Sequence, residues 1–226
     1  MGLLVTCGLM AIVLYWELVI YEGVHLGTGV VVRLYDWTAD RYESIKRFQP
    51  EFEDLRLGFP LTTALITTHE PFVLDVAAGT GRLARTLLRQ HGFDGRVVAL
   101  DLSELMLRQI DLYISERVER VDLLLSPANR LPFSSNMFEA VACLEALEFM
   151  PDPLTVLAEC VRVLRPGGQL VVSNRVGPQA RWLIGKTVAR PNFEDILLRL
   201  GLHLSRVDIW QTDYDLAWAT KPDMSV

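Results

Sequence analysis

The chain has 226 residues, half of them hydrophobic (50%), and a formal net charge of −6. That length holds one domain with a full core plus a small appendage. The acidic balance, without any cluster of Lys and Arg, argues against a nucleic-acid partner, which needs a basic footprint to displace counterions from phosphates.

Residues 1–24 are set apart by an apolar run, GLLVTCGLMAIVLYWELVI at positions 2–20, whose one charge is Glu17. As a single helix it would be about 28 Å long, close to the hydrocarbon thickness of a bilayer. It has no basic n-region and no small-x-small site, so it does not read as a signal peptide. The first basic residues (Arg33, Arg41, Lys46, Arg47) follow the run. Membrane association through residues 2–20 would therefore leave the remainder at the cytoplasmic face, with Tyr15, Trp16 and Tyr21 as interfacial aromatics. The alternative is a cytoplasmic protein in which this helix covers the domain's own active-site side.

Residues 25–70 read as a helical arm or lid. Leu34, Trp37, Arg41, Ile45 and Phe48 fall near helical spacing, and Pro50 and Pro60 punctuate the stretch. Lys46-Arg47 reads as a solvated helix face.

Residues 71–226 alternate strands and helices. Strands are expected at 72–76, 97–100, 121–125, 140–144, 169–173, 203–210 and 215–219, the last two paired. Helices are expected at 82–90, from the Ser103 cap through about Ser115, from Asp152-Pro153 to Leu164, and at 193–200. This is an α/β pattern: a Rossmann-like, doubly wound, seven-stranded, mainly parallel sheet with a C-terminal antiparallel strand pair, plus the N-terminal helical arm. Such sheets bind ligands at the carboxyl ends of the strands, where the strand order reverses.

The three cysteines (Cys7, Cys143, Cys160) form no CxxC pair, and His25, His69, His91 and His203 are scattered. No metal site is expected. Cys143 and Cys160 sit in apolar runs and read as buried thiols.

Asp75-Val76-Ala77-Ala78-Gly79-Thr80-Gly81 leaves the first strand and enters a helix. Gly79 and Gly81 permit a tight turn and close backbone approach to a ligand, and the helix N-terminus offers unpaired N–H groups. Asp101, ending the second strand, is placed to accept both hydroxyls of a ribose. Gly79 to Ala84 also fits a dinucleotide fingerprint, with Asp101 at the expected interval. Against that reading, Asp75 and three further residues separate the strand from the first glycine. An acid there suits a ligand with a cationic amino-acid end.

Val73 to Arg82 resembles motif I of class I S-adenosylmethionine (SAM)-dependent methyltransferases. Asp101-Leu102-Ser103-Glu104-Leu105-Met106-Leu107 resembles their acidic second motif. Leu131 to Val141 is similar to their LPF segment, Glu145 to Pro153 to E-x-L-E-H-V-P-D-P, and Arg162 to Gly168 to R-V-L-R-P-G-G. Tyr35 to Tyr42 looks like the Y-D-x-x-A-x-x-Y element that precedes the core in many members. The resemblance spans about residues 73–173. It implies SAM as cofactor, with Asp75, Ala77, Gly79 and Gly81 at the methionine end. Asp101 would hold the ribose, Leu102 would pack on the adenine, and Ala128 and Asn129 would face its edge. Cys143 and Leu144 would border the sulfonium, and Tyr35 would cover the cofactor.

Three positions depart from the pattern: Ala77 replaces the first glycine, Ser126-Pro127-Ala128 replaces Gly-Asp-Ala, and Phe149 stands where many members carry His. A Phe accepts no proton and ligates no metal, so the catalytic candidates are Tyr35, Glu145 and Glu148. The bland reading of the two acids is that they cap and solvate the region. The expected function is methyl transfer to a small-molecule or lipid-like acceptor at the membrane surface. The alternatives are a non-catalytic, membrane-tethered interaction protein of the same fold and a nicotinamide-dependent reductase. Residues 174–191, with Arg175, Arg181, Trp182 and Lys186, read as a basic and aromatic insert suited to an anionic or membrane-surface substrate, or as an ordinary lid.

Overall fold

A computed structural model describes residues 2–114 and 117–223, without the side chains of residues 2–4. Its centre is a seven-stranded sheet in the order β3-β2-β1-β4-β5-β7-β6. The strands are β1 (Phe72–Val76), β2 (Arg96–Asp101), β3 (Val121–Leu125), β4 (Phe138–Cys143), β5 (Leu164–Arg175), β6 (His203–Gln211) and β7 (Tyr214–Thr220). The first five run parallel. β7 is antiparallel to both β5 and β6. The strand order reverses between β1 and β4, so the loops leaving these two strands flank the switch point.

β1 and β4 are buried on both faces, which is why they read as continuous apolar runs without alternation. One core layer holds Leu74, Val76, Val141, Leu157 and Leu170, and the other holds Val73, Leu83, Leu87, Val97 and Ile110. Cys143 and Cys160 are buried free thiols, as their apolar runs foretold.

The helices of the sheet domain are α6 (Arg82–Arg89), α7 (Glu104–Tyr113), α8 (Pro153–Val163) and α9 (Arg190–Arg199). Ser103 caps α7 by accepting from the Met106 N–H, and Asp152 caps α8 through the N–H groups of Leu154 and Thr155. The expected end of the Ser103-capped helix, near Ser115, lies outside the described residues. β5 runs five residues earlier than expected, because Leu164 pairs with Phe138 across a register shift and Pro166-Gly167-Gly168 is absorbed into the strand.

The arm is helical but broken. α2 (Thr28–Thr38) and α3 (Tyr42–Lys46) are separate, and α4 (Pro50–Glu53) continues through a π turn at Asp54–Gly58 into α5 (Phe59–Leu65). The N-terminal run is not one regular helix. α1 covers Gly2–Tyr15, and a π turn occupies Trp16–Ile20. Fourteen residues give a rise of about 21 Å. Among the described residues, no helix is long and apolar enough to cross a membrane.

Residues 5–15 are all exposed, so α1 does not cover the sheet domain. The cover comes instead from the segment after it: Tyr21 and Val24 pack with Leu183, and Ile20 and Phe149 lie against that cluster. Tyr21 is therefore a packing residue and not an interfacial aromatic, whereas Tyr15 and Trp16 are exposed.

Candidate active site

The cleft opens at the carboxyl ends of β1, β2 and β4, where the topology places a ligand. Asp75, Ala77, Ala78, Gly79 and Thr80 form one wall, and Leu100 to Ser103 form the next. Ser126 and Ala128 come from the loop after β3, and Leu144 to Ala146 with Phe149 and Met150 come from the loop after β4. The arm closes the top with Thr28, Val31, Val32, Tyr35, Tyr42 and Phe48.

The glycine loop turns sharply. Ala77, Gly79 and Gly81 have φ of 57°, 54° and 78°. Ala77 thus sits in left-handed backbone at the position where the resemblance puts a glycine. A side chain at Gly79 would meet nothing within 4 Å, so the backbone there is bare toward open space. The Gly79 N–H donates to Asp101 Oδ2 at 2.8 Å, and the Ser103 N–H donates to Oδ1 at 2.8 Å. Asp101 thereby fastens the first loop to the end of β2 while keeping acceptor capacity on both oxygens. Burial raises its carboxyl pKa even against these N–H groups.

Asp75 differs. It is 2% exposed, and its Oδ2 has no hydrogen-bond partner. Burial, reinforced by the Asp101 charge, pushes its carboxyl up to about 8. An acid held this way is poised to pair with a cation.

Below the arm lies a buried ionic network. Arg82, the first residue of α6, donates to Glu53 through Nε at 2.9 Å and Nη2 at 2.6 Å, and to Glu145 through Nη1. Its guanidinium lies 4.2 Å from the Phe48 ring centroid and 4.6 Å from that of Trp210. Trp210 Nε1 also donates to Glu145, at 3.0 Å. Burial alone would raise the Glu145 carboxyl; Arg82 and then Lys46 outweigh it and hold the carboxyl below its usual value.

Lys46 Nζ stands 3.9 Å from both Glu145 and Glu22. Tyr35 donates to Glu22 at 2.6 Å, and its ring meets Phe149 edge-on at 5.6 Å. Burial, then the Glu22 charge, raises the Tyr35 hydroxyl well above its ordinary value, so it stays protonated. Further links clamp the arm: Asp36 accepts from Ser103 Oγ, and Glu43 accepts from Thr80 Oγ1 and Arg85.

The structure gathers Asp75, Ala77, Gly79, Asp101, Leu102, Ala128 and Leu144 on the cleft wall, with Tyr35 and Glu145 from the catalytic candidates. Four sequence candidates are not on it. Gly81 turns toward α7, where an added Cβ would lie 2.9 Å from Ile110 Cγ1, so it is glycine for packing. Asn129 is exposed. Cys143 is fully buried in the core, and burial raises its thiol pKa. Glu148 is 1% exposed, accepts from the Tyr214 hydroxyl and stands 3.6 Å from Arg175.

Neither Glu145 nor Glu148 is a solvated cap, since both are buried and ion-paired. Lys46 likewise faces Glu145 and is not a solvated helix face. Sequence reasoning missed Arg82, Thr80, Tyr42 and Phe48 as lining residues. Arg82 stands inside the quoted motif. Its partners Glu53 and Glu145, however, are 29 and 63 residues away, and no local signal joins them. Among the described residues, no group of three His, Cys, Asp or Glu is arranged to hold a metal.

Residues 74–172 match the methyltransferase domain family. The chain is 35% identical over 128 residues to a ubiquinone biosynthesis O-methyltransferase of Thiobacillus denitrificans, covering 54% of each chain. It is 40% identical over 100 residues to a ubiquinone/menaquinone biosynthesis C-methyltransferase of Bordetella parapertussis, covering 44% of this chain and 39% of the other. The chain thus spans about half the length, or less, of these relatives. Two solved structures share the fold. One is a SAM-dependent methyltransferase from Aquifex aeolicus (TM-score 0.57, 21% identity, 77% of this chain and 99% of that one). The other is a 1,6-didemethyltoxoflavin N1-methyltransferase from Burkholderia thailandensis with bound 1,6-didemethyltoxoflavin and S-adenosylhomocysteine (TM-score 0.58, 22% identity, 73% and 77%).

Proposed function

We propose that this chain, which carries a SAM-dependent methyltransferase domain at residues 74–172, transfers a methyl group to an apolar small molecule of quinone-precursor or lipid type at a membrane surface. The observation that carries the cofactor half is Asp75: a buried carboxyl in the cleft wall with an unpartnered oxygen, on the same wall as bare backbone at Gly79. An ammonium end fits the first, and close approach of a ligand fits the second. Asp101, with acceptor capacity on both oxygens, suits a vicinal diol. These residues fit SAM, which when bound supplies a methyl group already activated by its sulfonium.

The chain's own residues then exclude water and position the acceptor. Val31, Val32 and Phe149 give the arm side of the cleft an apolar surface, and the Tyr35 ring packs edge-on to Phe149 beside them. Neither candidate acid is an obvious base. Glu145 is committed to Arg82 and Trp210, and Glu148 is off the cleft. Tyr35 holds its proton and donates it in a hydrogen bond to Glu22, so toward a methyl acceptor its oxygen offers only a lone pair and it is no base. This chemistry suits an acceptor that arrives as an anion or as an activated carbon, because a base is required only where the nucleophile must lose a proton.

Support for the membrane surface comes from α1, which is apolar on every side and exposed at every described side chain. Such a helix has no solvated face to keep in water.

The test is incubation of the purified chain with methyl-labelled SAM and a membrane lipid extract. Label should appear in the organic phase, and Asp101→Ala should abolish it. Label found only in the aqueous phase or on protein would refute the apolar acceptor. A carbonate wash of cell membranes tests the location, and complete release of the chain would argue against an anchored helix.

A further inference from the structure

The loop between β5 and α9 borders a second, half-open cavity of about 520 Å³, apart from the cleft. Three arginines line it: Arg175, Arg181 and Arg190. The Arg175 side chain is only 8% exposed. Its Nη2 donates to Gln179 at 2.9 Å and its Nη1 lies 3.6 Å from Glu148, but its Nε has no hydrogen-bond partner. Arg190 pairs with Asp215 through Nε and through Nη2, the latter at 2.7 Å. Arg181 is exposed and, among the described residues, has no carboxylate partner.

Arg175 brings its positive charge to the cavity wall, with Glu148 3.6 Å away; its Nε is sealed from the cavity and takes no part in binding there. The guanidinium fork matches the oxygens of a phosphate. The rim adds a second kind of surface, because Trp182 is 69% and Ile184 85% exposed. This rim is fastened to the segment that follows α1: a His25 ring nitrogen lies 3.2 Å from the Trp182 carbonyl oxygen, and Leu183 packs with Tyr21 and Val24. The loop also touches the cleft, since Lys186 Nζ donates to the carbonyl of Met150, a lining residue, at 2.6 Å.

We propose that this cavity binds a phosphate-bearing anion, held by Arg175 and Arg181, with a phospholipid head group or a soluble phosphate as its source. Arg190 contributes field while remaining paired with Asp215. This assignment does not depend on the identity of the methyl acceptor.

The test uses the full chain in mild detergent and the variant Arg181→Glu, which breaks no side-chain hydrogen bond or ion pair among the described residues. Inorganic pyrophosphate is titrated calorimetrically into each. Each is also floated with phosphatidylcholine vesicles made with and without phosphatidylglycerol. The wild type should bind pyrophosphate, and the variant should bind about ten-fold more weakly or worse, as expected for losing one charge-assisted contact and gaining a repulsion. The thermal unfolding midpoint should not change. If phosphatidylglycerol increases wild-type flotation and the variant loses that increase, the source is a head group. If pyrophosphate binds but the vesicles are not distinguished, the source is soluble. Absence of both responses, or equal responses from the two proteins, overturns the site.

Discussion

Asp75 should make cofactor affinity rise with pH. Its carboxyl titrates near about 8 because it is buried and lies by the Asp101 charge. At neutral pH the ligand-free chain therefore holds it mostly as the neutral acid. An ammonium placed beside it favours the carboxylate, so binding expels a proton. From about pH 5.5 to about pH 7.0 the association constant should grow about 30-fold, which is the change in ionised fraction of a group titrating near 8. Titration calorimetry in two buffers of different ionisation enthalpy should count about 0.9 proton released per SAM bound at neutral pH. Asp75→Asn cannot titrate; it should bind more weakly at neutral pH and lose the slope. An affinity independent of pH in the wild type, or the same slope in Asp75→Asn, would show that Asp75 does not pair with the ligand's ammonium group. The shift has a stability counterpart. The folded pKa lies above the unfolded one, so the ligand-free fold should lose stability as pH rises from the ordinary carboxylate range toward about 8.

Arg82→Met should destabilise the fold by about 3 kcal/mol, since Glu53 and Glu145 lose a buried guanidinium. For a chain of this size that lowers the thermal midpoint by about 6–12 °C. Part of the loss should return as pH falls, because the freed carboxyls then become neutral; a loss unchanged by pH would count against buried charge as its cause. In the wild type the sign is opposite at Glu145. Its lowered pKa contributes stability above the unfolded carboxylate value, lost as pH falls through the folded value. Gly81→Ala should cost about 2 kcal/mol in urea unfolding, from a positive φ and from contact with branched Ile110. Because Gly81 does not line the cleft, SAM affinity of the folded variant should stay near that of the wild type.

The sheet was legible because its signals are local. β1 and β3 fall at their expected bounds, since each apolar run ends at a turn or a glycine loop. The glycine loop and Asp101 were equally legible, as both sit at strand ends, where the topology makes them meet. What escaped was long-range pairing. Nothing around Glu145 or Glu148 tells a solvated acid from one buried on Arg82 or Arg175, because those partners arrive from other elements. Lys46 read as a surface charge for the same reason. Cys143 carried the motif's position but not its orientation: it ends a strand buried on both sides, and its thiol belongs to the core while Leu144 reaches the cleft. The apolar N-terminal run announced its composition correctly, yet periodicity alone did not reveal the π turn at Trp16–Ile20 that interrupts it.

This cleft is built to hold SAM through Asp101 and the loop it fastens. Isothermal titration of S-adenosylmethionine and S-adenosylhomocysteine into the purified chain tests it most directly. Both should bind at micromolar level, about 100-fold or more weakly in Asp101→Ala, where the diol and the Gly79 N–H lose a shared carboxylate. No binding of either compound to the wild type, or equal affinity in Asp101→Ala, would contradict it.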